Sequence, residues 1–413
     1  MDKYSSYKDS GFAWMGQIPS HWETRRFRFL LAENAVQNTD LKERKQLQFK
    51  YGDIVPKANQ SDDKDVLDTI RKYTVVAPGD IMINGLNLNY DFISQRVAQV
   101  REPGVITSAY VSLRPLEGAN SKYYTYYMKA MDAQKMFHGM GSGVRLTLSY
   151  DNLKNLFFPY PSPKEQEAIV SYLDTTTAKI DEAIAQQQRM IDLLNERKQI
   201  VINNAVTRGV SSCITYRESG YDWIGVIPSH WEIRKLKYYV TPSREKAYKA
   251  LPYIGLENIE SHTGKFILTD SEYDINQSLL CNKNDVIFGK LRPYLAKAYL
   301  CDRNYCCSNE FVVMRDTPVP KFLQYVLLST YFVNKVDAST YGAKMPRADI
   351  DYILNLPIAI PPVNEQGEIV RSVNEQFSII DKMIAPKAKL LSLLQERKQI
   401  IINDVVTGKV KVF

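Results

Sequence analysis

Residues 164–210 read KEQEAIVSYLDTTTAKIDEAIAQQQRMIDLLNERKQIVINNAVTRGV, and residues 364–410 read NEQGEIVRSVNEQFSIIDKMIAPKAKLLSLLQERKQIIINDVVTGKV. In both stretches mostly apolar residues recur every three or four positions, which predicts two long amphipathic helices. The stripe positions are Ile169, Leu173, Thr176, Ile180, Ile184, Gln187, Ile191, Leu194 and Val201, and then Ile369, Val373, Ile380, Ile384, Leu391, Leu394 and Ile401. The pentapeptide ERKQI recurs letter for letter, so the chain contains a duplication.

A helix of about 43 residues is about 65 Å long, too long for one small core to cover. Both stripes are narrow and close to the 3.5-residue period of a coiled-coil seam, so we expect the two helices to pair with each other. Gln187 and Lys387 hold equivalent stripe positions, as a polar pair that sets the register would. Two unrelated surface helices are the alternative, which the repeat disfavours.

The chain has 413 residues, 45% of them hydrophobic, and a net charge of +7. This length suggests two or three globular domains. No apolar run reaches the roughly 18 residues of a membrane span, and the first residues do not resemble a signal peptide. We therefore expect a cytoplasmic protein with no membrane contact.

The five cysteines fit a reducing compartment, because their number is odd and the first 212 residues contain none. They are Cys213, Cys281, Cys301, Cys306 and Cys307. A zinc site at the last three is disfavoured by their spacing and by the lack of a nearby histidine. We expect no metal and no cofactor.

A second repeat lies before each helix. Residues 7–29 read YKDSGFAWMGQIPSHWETRRFRF, and residues 216–238 read YRESGYDWIGVIPSHWEIRKLKY. We expect this aromatic, proline-containing segment to pack as a fixed strap at the entrance of each half. His21 and His230 lie in it with no nucleophile or carboxylate pattern around them, so a structural role is favoured over a catalytic one.

Between strap and helix, each half reads as a module of short strands followed by a helix, near 121–137 in the first half and near 320–336 in the second. Asp80–Ile83 aligns with Asp285–Phe288, and Tyr110–Arg114 aligns with Phe311–Arg315, but little else in the two modules aligns. The expected fold is α/β (α+β), with two mixed α/β domains in a pseudo-twofold repeat joined by two long helices. The expected boundaries are 1–162 and 211–362 for the domains, and 163–210 and 363–413 for the helices.

Each module ends in a polar, glycine-bearing loop just before its long helix. Its small residues permit close backbone approach, and its polar side chains offer charge and hydrogen bonds. These side chains are Ser142, Arg145, Thr147, Thr340, Lys344 and Arg347. The composition is compatible with a loop that enters a DNA groove, and equally with an ordinary connector.

Basic residues cluster in both halves. The clusters are Arg25, Arg26 and Arg28; Lys42, Arg44 and Lys45; Arg234, Lys235 and Lys237; and Arg244, Lys246 and Lys249. A single cluster is more often a solvated face, but recurrence in both halves favours nucleic acid as partner.

Together these motifs resemble the specificity subunit of type I restriction-modification enzymes. The resemblance covers nearly the whole chain and rests on the duplicated IPSHWE segment, the FGKLRPYL strand, the proline-containing EQ helix start and the repeated ERKQI helix. It implies two target recognition domains, each of which reads half of an asymmetric split sequence in double-stranded DNA. It also implies that the long helices form an antiparallel coiled coil, which docks two methyltransferase subunits, and that restriction subunits join for cleavage. One departure is Pro386, where we expect the second helix to kink or break, at about 3 kcal/mol if it stays straight.

Phosphate contacts from the basic clusters would position the modules, and a few side chains would read base edges. Lys290 and Arg292 are the favoured readers in the second module, because Lys or Arg on guanine is the commonest specific contact. The full set of candidate DNA-binding residues is Arg25, Arg26, Asn87, Asn89, Gln95, Ser142, Arg145, Arg234, Lys235, Lys290, Arg292, Lys344 and Arg347.

We expect no catalytic residues. The sequence lacks the NPPY or DPPY tetrapeptide of amino-methyltransferases, the GxxxxGK[ST] phosphate loop and the HExxH metal pair. A self-sufficient sequence-specific DNA endonuclease and a coiled-coil scaffold without DNA affinity are the alternatives. Neither explains two diverged modules in one duplicated frame.

Overall fold

The computed structural model describes residues 2–12, 15–50, 52–58, 60–61, 63–143, 146–211, 215–248, 251–269, 278–342 and 345–412. The chain forms two compact units. The first unit is Met1–Gln186 with Leu390–Phe413, and the second is Gln187–Lys389. Each unit thus contains one strap, one module and a part of each long helix.

The first half of the chain is built from short strands and four helices. In chain order these are β1 (Tyr7–Asp9), β2 (Gln17–Pro19), β3 (Glu23–Arg26), β4 (Leu31–Glu33), β5 (Leu47–Lys50), β6 (Asp53–Pro56), α1 (Lys64–Ile70), β7 (Thr74–Val76), β8 (Ile81–Ile83), β9 (Val97–Gln99), β10 (Gly104–Ile106), β11 (Val111–Pro115), α2 (Ser121–Ala133), α3 (Tyr150–Leu153), β12 (Phe157–Tyr160) and α4 (Pro163–Arg208).

The second half repeats much of this order. Its elements are β13 (Tyr216–Glu218), β14 (Val226–Pro228), β15 (Glu232–Lys235), β16 (Thr241–Ser243), β17 (Tyr253–Ile254), β18 (Ser278–Cys281), β19 (Val286–Gly289), β20 (Ala298–Leu300), β21 (Tyr305–Ser308), β22 (Phe311–Arg315), α5 (Pro320–Leu328), α6 (Thr330–Asp337), α7 (Ile350–Asn355), β23 (Pro357–Ile360) and α8 (Val363–Val406). The helix predicted near 320–336 is therefore two helices, which meet at Ser329.

Both modules contain the same four-stranded antiparallel sheet. Its strand order is β4-β11-β8-β9 in the first unit and β16-β22-β19-β20 in the second. In the first sheet, Arg114 binds the buried Asp80 carboxylate through Nε and Nη2, at 3.0 and 2.9 Å. In the second, Arg315 Nε binds the buried Asp285 at 2.9 Å. The two short sequence matches between the modules thus mark one duplicated ion pair, and the predicted pseudo-repeat is confirmed.

The duplicated strap fastens the first turn of each long helix. Trp22 is buried, and its Nε1 donates to Glu165 Oε1 at 3.3 Å, while His21 Nε2 lies 2.7 Å from the same oxygen. The backbone N–H and hydroxyl of Ser162 donate to the other carboxylate oxygen at 3.2 and 3.1 Å. One carboxylate therefore caps α4 and anchors the strap.

The second unit repeats this arrangement. Trp231 Nε1 donates to Glu365 Oε1 at 3.0 Å, and His230 Nε2 lies 2.8 Å from Glu365 Oε2. The next residue also anchors each helix start, because the Nε2 groups of Gln166 and Gln366 each donate to a proline carbonyl five residues earlier, at 2.9 Å. The SHW and EQ motifs thus recur together because they bind each other.

The long helices pack against each other in opposite directions. In the first unit, the start of α4 and the end of α8 share one core, which contains Ile169, Leu173, Ile402 and Val405. In the second unit, the end of α4 and the start of α8 share another, which contains Ile202, Val206, Ile369 and Val373. The predicted antiparallel pairing is therefore confirmed.

An ion pair crosses this helix pair in each unit. Asp181 binds Lys398 Nζ at 2.6 Å in the first unit, and Asp381 binds Lys198 Nζ at 2.5 Å in the second. Both the acids and the lysines are 200 positions apart, so the two bridges are copies of each other. They differ in burial, because the Lys198 side chain is 8% exposed and the Lys398 side chain 26%.

Pro386 does not break the second helix. α8 is continuous over 44 residues with the proline inside it. Pro386 and Lys382, whose carbonyl loses its usual partner four residues on, are both exposed to solvent. Of the expected kink or break, the break was therefore wrong, since water can satisfy that carbonyl and the packed helix retains its other bonds.

Removal of the Glu165 carboxylate should destabilise the first unit. Glu165→Ala leaves a buried tryptophan N–H without its acceptor, and we expect a loss of about 1–3 kcal/mol in the free energy of unfolding. Denaturant unfolding of the purified chain would measure it. Glu167→Ala, at an exposed position on the same helix turn, is the control and should change the midpoint little. Equal effects would show that the anchor contributes nothing specific.

The same carboxylate makes stability depend on pH. Burial raises the pKa of Glu165, but hydrogen bonds from His21, Ser162 and Trp22 lower it, with a net shift downward from 4.5. A carboxyl with a lowered pKa in the folded state stabilises it above the unfolded pKa, and this contribution is lost as pH falls through the folded pKa. The difference between wild type and Glu165→Ala should therefore shrink below about pH 4.

The two interhelical ion pairs should differ in their contribution. Asp381→Ala leaves the nearly buried Lys198 ammonium unpaired, whereas Asp181→Ala leaves a lysine that water can reach. We expect Asp381→Ala to cost about 2 kcal/mol more, because an unpaired buried charge is strongly destabilising. Matched urea unfolding curves would test this, and a larger loss from Asp181→Ala would contradict it.

Candidate nucleic-acid interface

Two loops meet at the end of strand β8 in the first unit. One is residues 84–95, which follow β8, and the other is the glycine-bearing loop at 139–148; together we name them the first loop pair. Leu148 N donates to Gly85 O at 2.9 Å, and Leu88 N donates to Leu146 O at 3.3 Å. A Cβ at Gly85 would lie 2.5 Å from the Leu148 carbonyl oxygen. Glycine is therefore what allows the loops to touch.

Arg96, which sequence reasoning missed, holds the first of these loops from inside. Its side chain is fully buried. The Arg96 Nη1 donates to the carbonyls of Asn84 and Leu86 at 3.0 and 2.7 Å, and Nη2 donates to that of Asp91 at 2.6 Å. The only indication of this role in the sequence is the position of Arg96 directly before the buried strand β9. Arg96 thus links the two ends of the loop through its backbone carbonyls.

The second unit builds the same arrangement at the end of β19. Residues 290–296 and the glycine-bearing loop at 340–348 form the second loop pair. Ala348 N donates to Lys290 O at 3.0 Å, and Arg292 N donates to Pro346 O at 2.7 Å. The candidate base readers of each module and its glycine-bearing loop therefore lie together.

The candidates of the first loop pair differ in accessibility. Asn87 is exposed, and its backbone is left-handed at a φ of 53°. The Asn89 Oδ1 is buried and accepts no hydrogen bond within the described part of the chain. The Gln95 side chain lies against Gly52. Ser142 bridges to Thr147 through the backbone, and Arg145 lies outside the described residues.

The candidates of the second loop pair also differ. Arg292 is exposed with a φ of 51°. Lys290 is half-buried, and its pKa is lowered by burial first and also by nearby Arg347 and Arg244. Arg347 Nη2 is held by Glu310 Oε1 at 2.5 Å. Lys344 lies outside the described residues.

The other basic candidates lie on the ribbon that leads into each long helix, and not in the loop pairs. β3 pairs with β12, and β15 pairs with β23. Arg25 and Arg234 each bind a glutamate two residues earlier in the chain, and the Arg25 guanidinium also lies 3.6 Å over the Tyr160 ring. Arg26 and Lys235 end the same strands. We keep these residues only as candidates for phosphate contact.

The described residues contain no group of three or more His, Cys, Asp or Glu side chains that could hold a metal ion. Cys281, Cys301, Cys306 and Cys307 are buried free thiols, and Cys213 lies outside the described part. Within the same ranges, every helix is too short or too polar to cross a membrane.

Comparison with known proteins agrees with this architecture. A family model for the type I restriction modification DNA specificity domain matches residues 96–189 and 231–385. The type I restriction enzyme MjaVIII specificity subunit of Methanocaldococcus jannaschii is 24% identical over 365 residues, 83% of this chain and 81% of that protein. The EcoDI specificity subunit of Escherichia coli is 22% identical over 297 residues, 66% of each chain.

A solved structure, from work on complex assembly and conformational transition of the type I R-M system, shares the fold. It has a TM-score of 0.66 at 13% identity and covers 95% of this chain and 99% of its own. Both relatives are specificity subunits of type I restriction enzymes, the family that the sequence motifs resemble. The family match spans more than half of the residues, and this chain belongs to the type I restriction-modification DNA specificity family.

Proposed function

We propose that this chain selects the DNA sequence for a type I restriction-modification complex, and that each unit reads one part of a bipartite, asymmetric site in double-stranded DNA. The observation that carries this proposal is the loop pair. It is built in the same way at the same strand end in both units, but it presents amides in the first unit and cations in the second. Equivalent frames with different side chains suit two readers of different base sequences.

The long helices offer a surface for partners. Several apolar side chains on them are exposed although they lie on helices otherwise packed by an apolar seam. These are Met190, Leu193 and Ile200 on α4, and Leu390, Leu393 and Ile400 on α8. Each residue has its counterpart 200 positions away, so the two surfaces suit two copies of one partner.

We assign these surfaces to two methyltransferase subunits, with restriction subunits added for cleavage. Both chemical reactions then belong to the partners, and the assembly works in the cytoplasm, where chromosomal DNA is accessible.

Charges placed on these surfaces should prevent docking. Leu193→Asp together with Leu393→Asp replaces two half-exposed leucines, at 52% and 50% exposure, with carboxylates that an apolar interface cannot bury. We expect a loss of bound methyltransferase subunits on gel filtration and a loss of methylation, while the wild-type chain alone transfers no methyl group. Asn195→Asp with Gln395→Asp adds the same charge on the opposite helix face and should assemble normally. Full assembly of the leucine variant would refute the assignment.

Exchange of one module should change one half of the recognised site. We expect replacement of residues 24–155 by the matching segment of another specificity subunit to alter the first half-site and leave the second intact, because each loop pair is held within its own unit. Sequencing of methylated DNA from cells that express the chimaera with its methyltransferase gives the result. A change in both halves would show that the modules do not read independently.

A further inference from the structure

Among the amide and cationic candidates of the two loop pairs, Asn87 and Arg292 are exposed and have no side-chain hydrogen bond or ion pair within the described part of the chain. In the first unit, Asn89 is partly buried and Gln95 lies on Gly52, which leaves Asn87. In the second, Arg347 is tied to Glu310 and Lys290 is half-buried, which leaves Arg292. Each of the two is oriented only by its backbone.

That backbone is left-handed at both positions, with φ of 53° at Asn87 and 51° at Arg292. Asparagine tolerates this conformation, but arginine adopts it only at a cost. Arg292 also precedes Pro293, and a residue before proline is restricted to extended conformations. Strain of this kind persists where the surrounding structure imposes it, and it clusters at functional sites.

The structure imposes the strain at Arg292 through two backbone bonds. Arg292 N donates to Pro346 O at 2.7 Å, and Arg292 O accepts from Leu295 N at 2.9 Å. At Asn87, the carbonyl accepts from the N–H groups of Tyr90 and Asp91, both at 3.2 Å. Both residues therefore project from turns that are held by backbone hydrogen bonds.

The two positions also correspond in the fold. Asp80 and Asp285 begin the matching segments of β8 and β19, and each binds the arginine of the adjacent strand. Five residues later, Gly85 O and Lys290 O each accept from the backbone of the glycine-bearing loop. Two residues further on are Asn87 and Arg292. The duplicated frame thus presents Asn87 and Arg292 at equivalent positions of the two loop pairs.

From these observations we infer that Asn87 and Arg292 are equivalent base-reading residues, and that Asn87 selects an adenine in one half-site and Arg292 a guanine in the other. An asparagine amide pairs with adenine N6 and N7, and a guanidinium pairs with guanine O6 and N7, each through two hydrogen bonds in the major groove. This inference rests on the proposed function and gives it specific residues and bases.

The test uses the chain assembled with its methyltransferase subunits and a randomised duplex library, and bound sequences are read before and after substitution. One adenine position of the first half-site should become degenerate in Asn87→Ala, and one guanine position of the second in Arg292→Ala. A preference of about 5- to 150-fold for the named base, which is the range expected for a bidentate contact, should fall to near 1-fold. Arg303→Ala, which removes an exposed arginine in the turn between β20 and β21, at the other end of β19 from the loop pair, is the control and should keep the wild-type motif.

A second measurement separates a reading role from a folding role. Arg292→Gly relieves the left-handed strain, so its melting temperature should equal or exceed that of wild type, while the guanine preference is lost. A stable glycine variant that keeps the guanine preference would overturn the inference. So would uniform weakening on all sequences, which assigns Arg292 to phosphate, or a change in the half-site of the other unit.

The same experiment distinguishes a failure of the proposed function from a failure of the inference about Asn87 and Arg292. If the wild-type assembly selects no bipartite sequence from the library, the proposed function fails. If it selects one that Asn87→Ala and Arg292→Ala leave unchanged, only the inference about these two residues fails.

Discussion

The structure depends on a carboxylate at the first turn of each long helix, which is buried at Glu165 and partly buried at Glu365. Glu165 receives hydrogen bonds from the strap and from the N-cap serine simultaneously, and Glu365 receives the strap again in the second unit. The internal hydrogen bonds of a 46-residue helix do not fix the residue at which it starts or the angle at which it meets a module. The carboxylate fixes both, because a buried tryptophan N–H and a helix N-terminus must both be satisfied at one point.

The duplicated sheets and the loop pairs differ in how well their polar groups are paired and in how closely the two units match. The two four-stranded sheets repeat each other, and in each a buried aspartate is paired with an arginine, Asp80 with Arg114 and Asp285 with Arg315. The loops contain strained or unsatisfied groups, namely the left-handed Arg292 and the buried Asn89 Oδ1, which accepts no hydrogen bond among the residues that the structure describes. A stable frame can offset this local cost, and it leaves the loop side chains free to differ. The duplicated sheets thus carry the shared stabilising contacts, and the loops carry the side chains that differ between the two units.

Prediction from sequence succeeded where periodicity and exact repetition carried the information. The long helices, their pairing, the strap and the matching strand segments all follow a repeat that could be read by eye, whereas the antiparallel direction of the pair was implied by the family resemblance. The split of one predicted helix into α5 and α6 was missed, and so was the continuity of α8 through Pro386. In both cases, tertiary packing overrode a local signal.

The sequence by itself determined the duplicated architecture, because apolar spacing, SHW, EQ and ERKQI report local geometry and burial. It also indicated the short polar segments that contain the candidate DNA-binding residues. Only the tertiary structure decided which of those side chains are available, because accessibility depends on contacts between residues far apart in the chain. Arg347 was indistinguishable from Arg292 until Glu310 was found beside it. Sequence reasoning did not single out Arg96, and the fold buries it where its side chain donates to backbone carbonyls of the loop that contains Asn87.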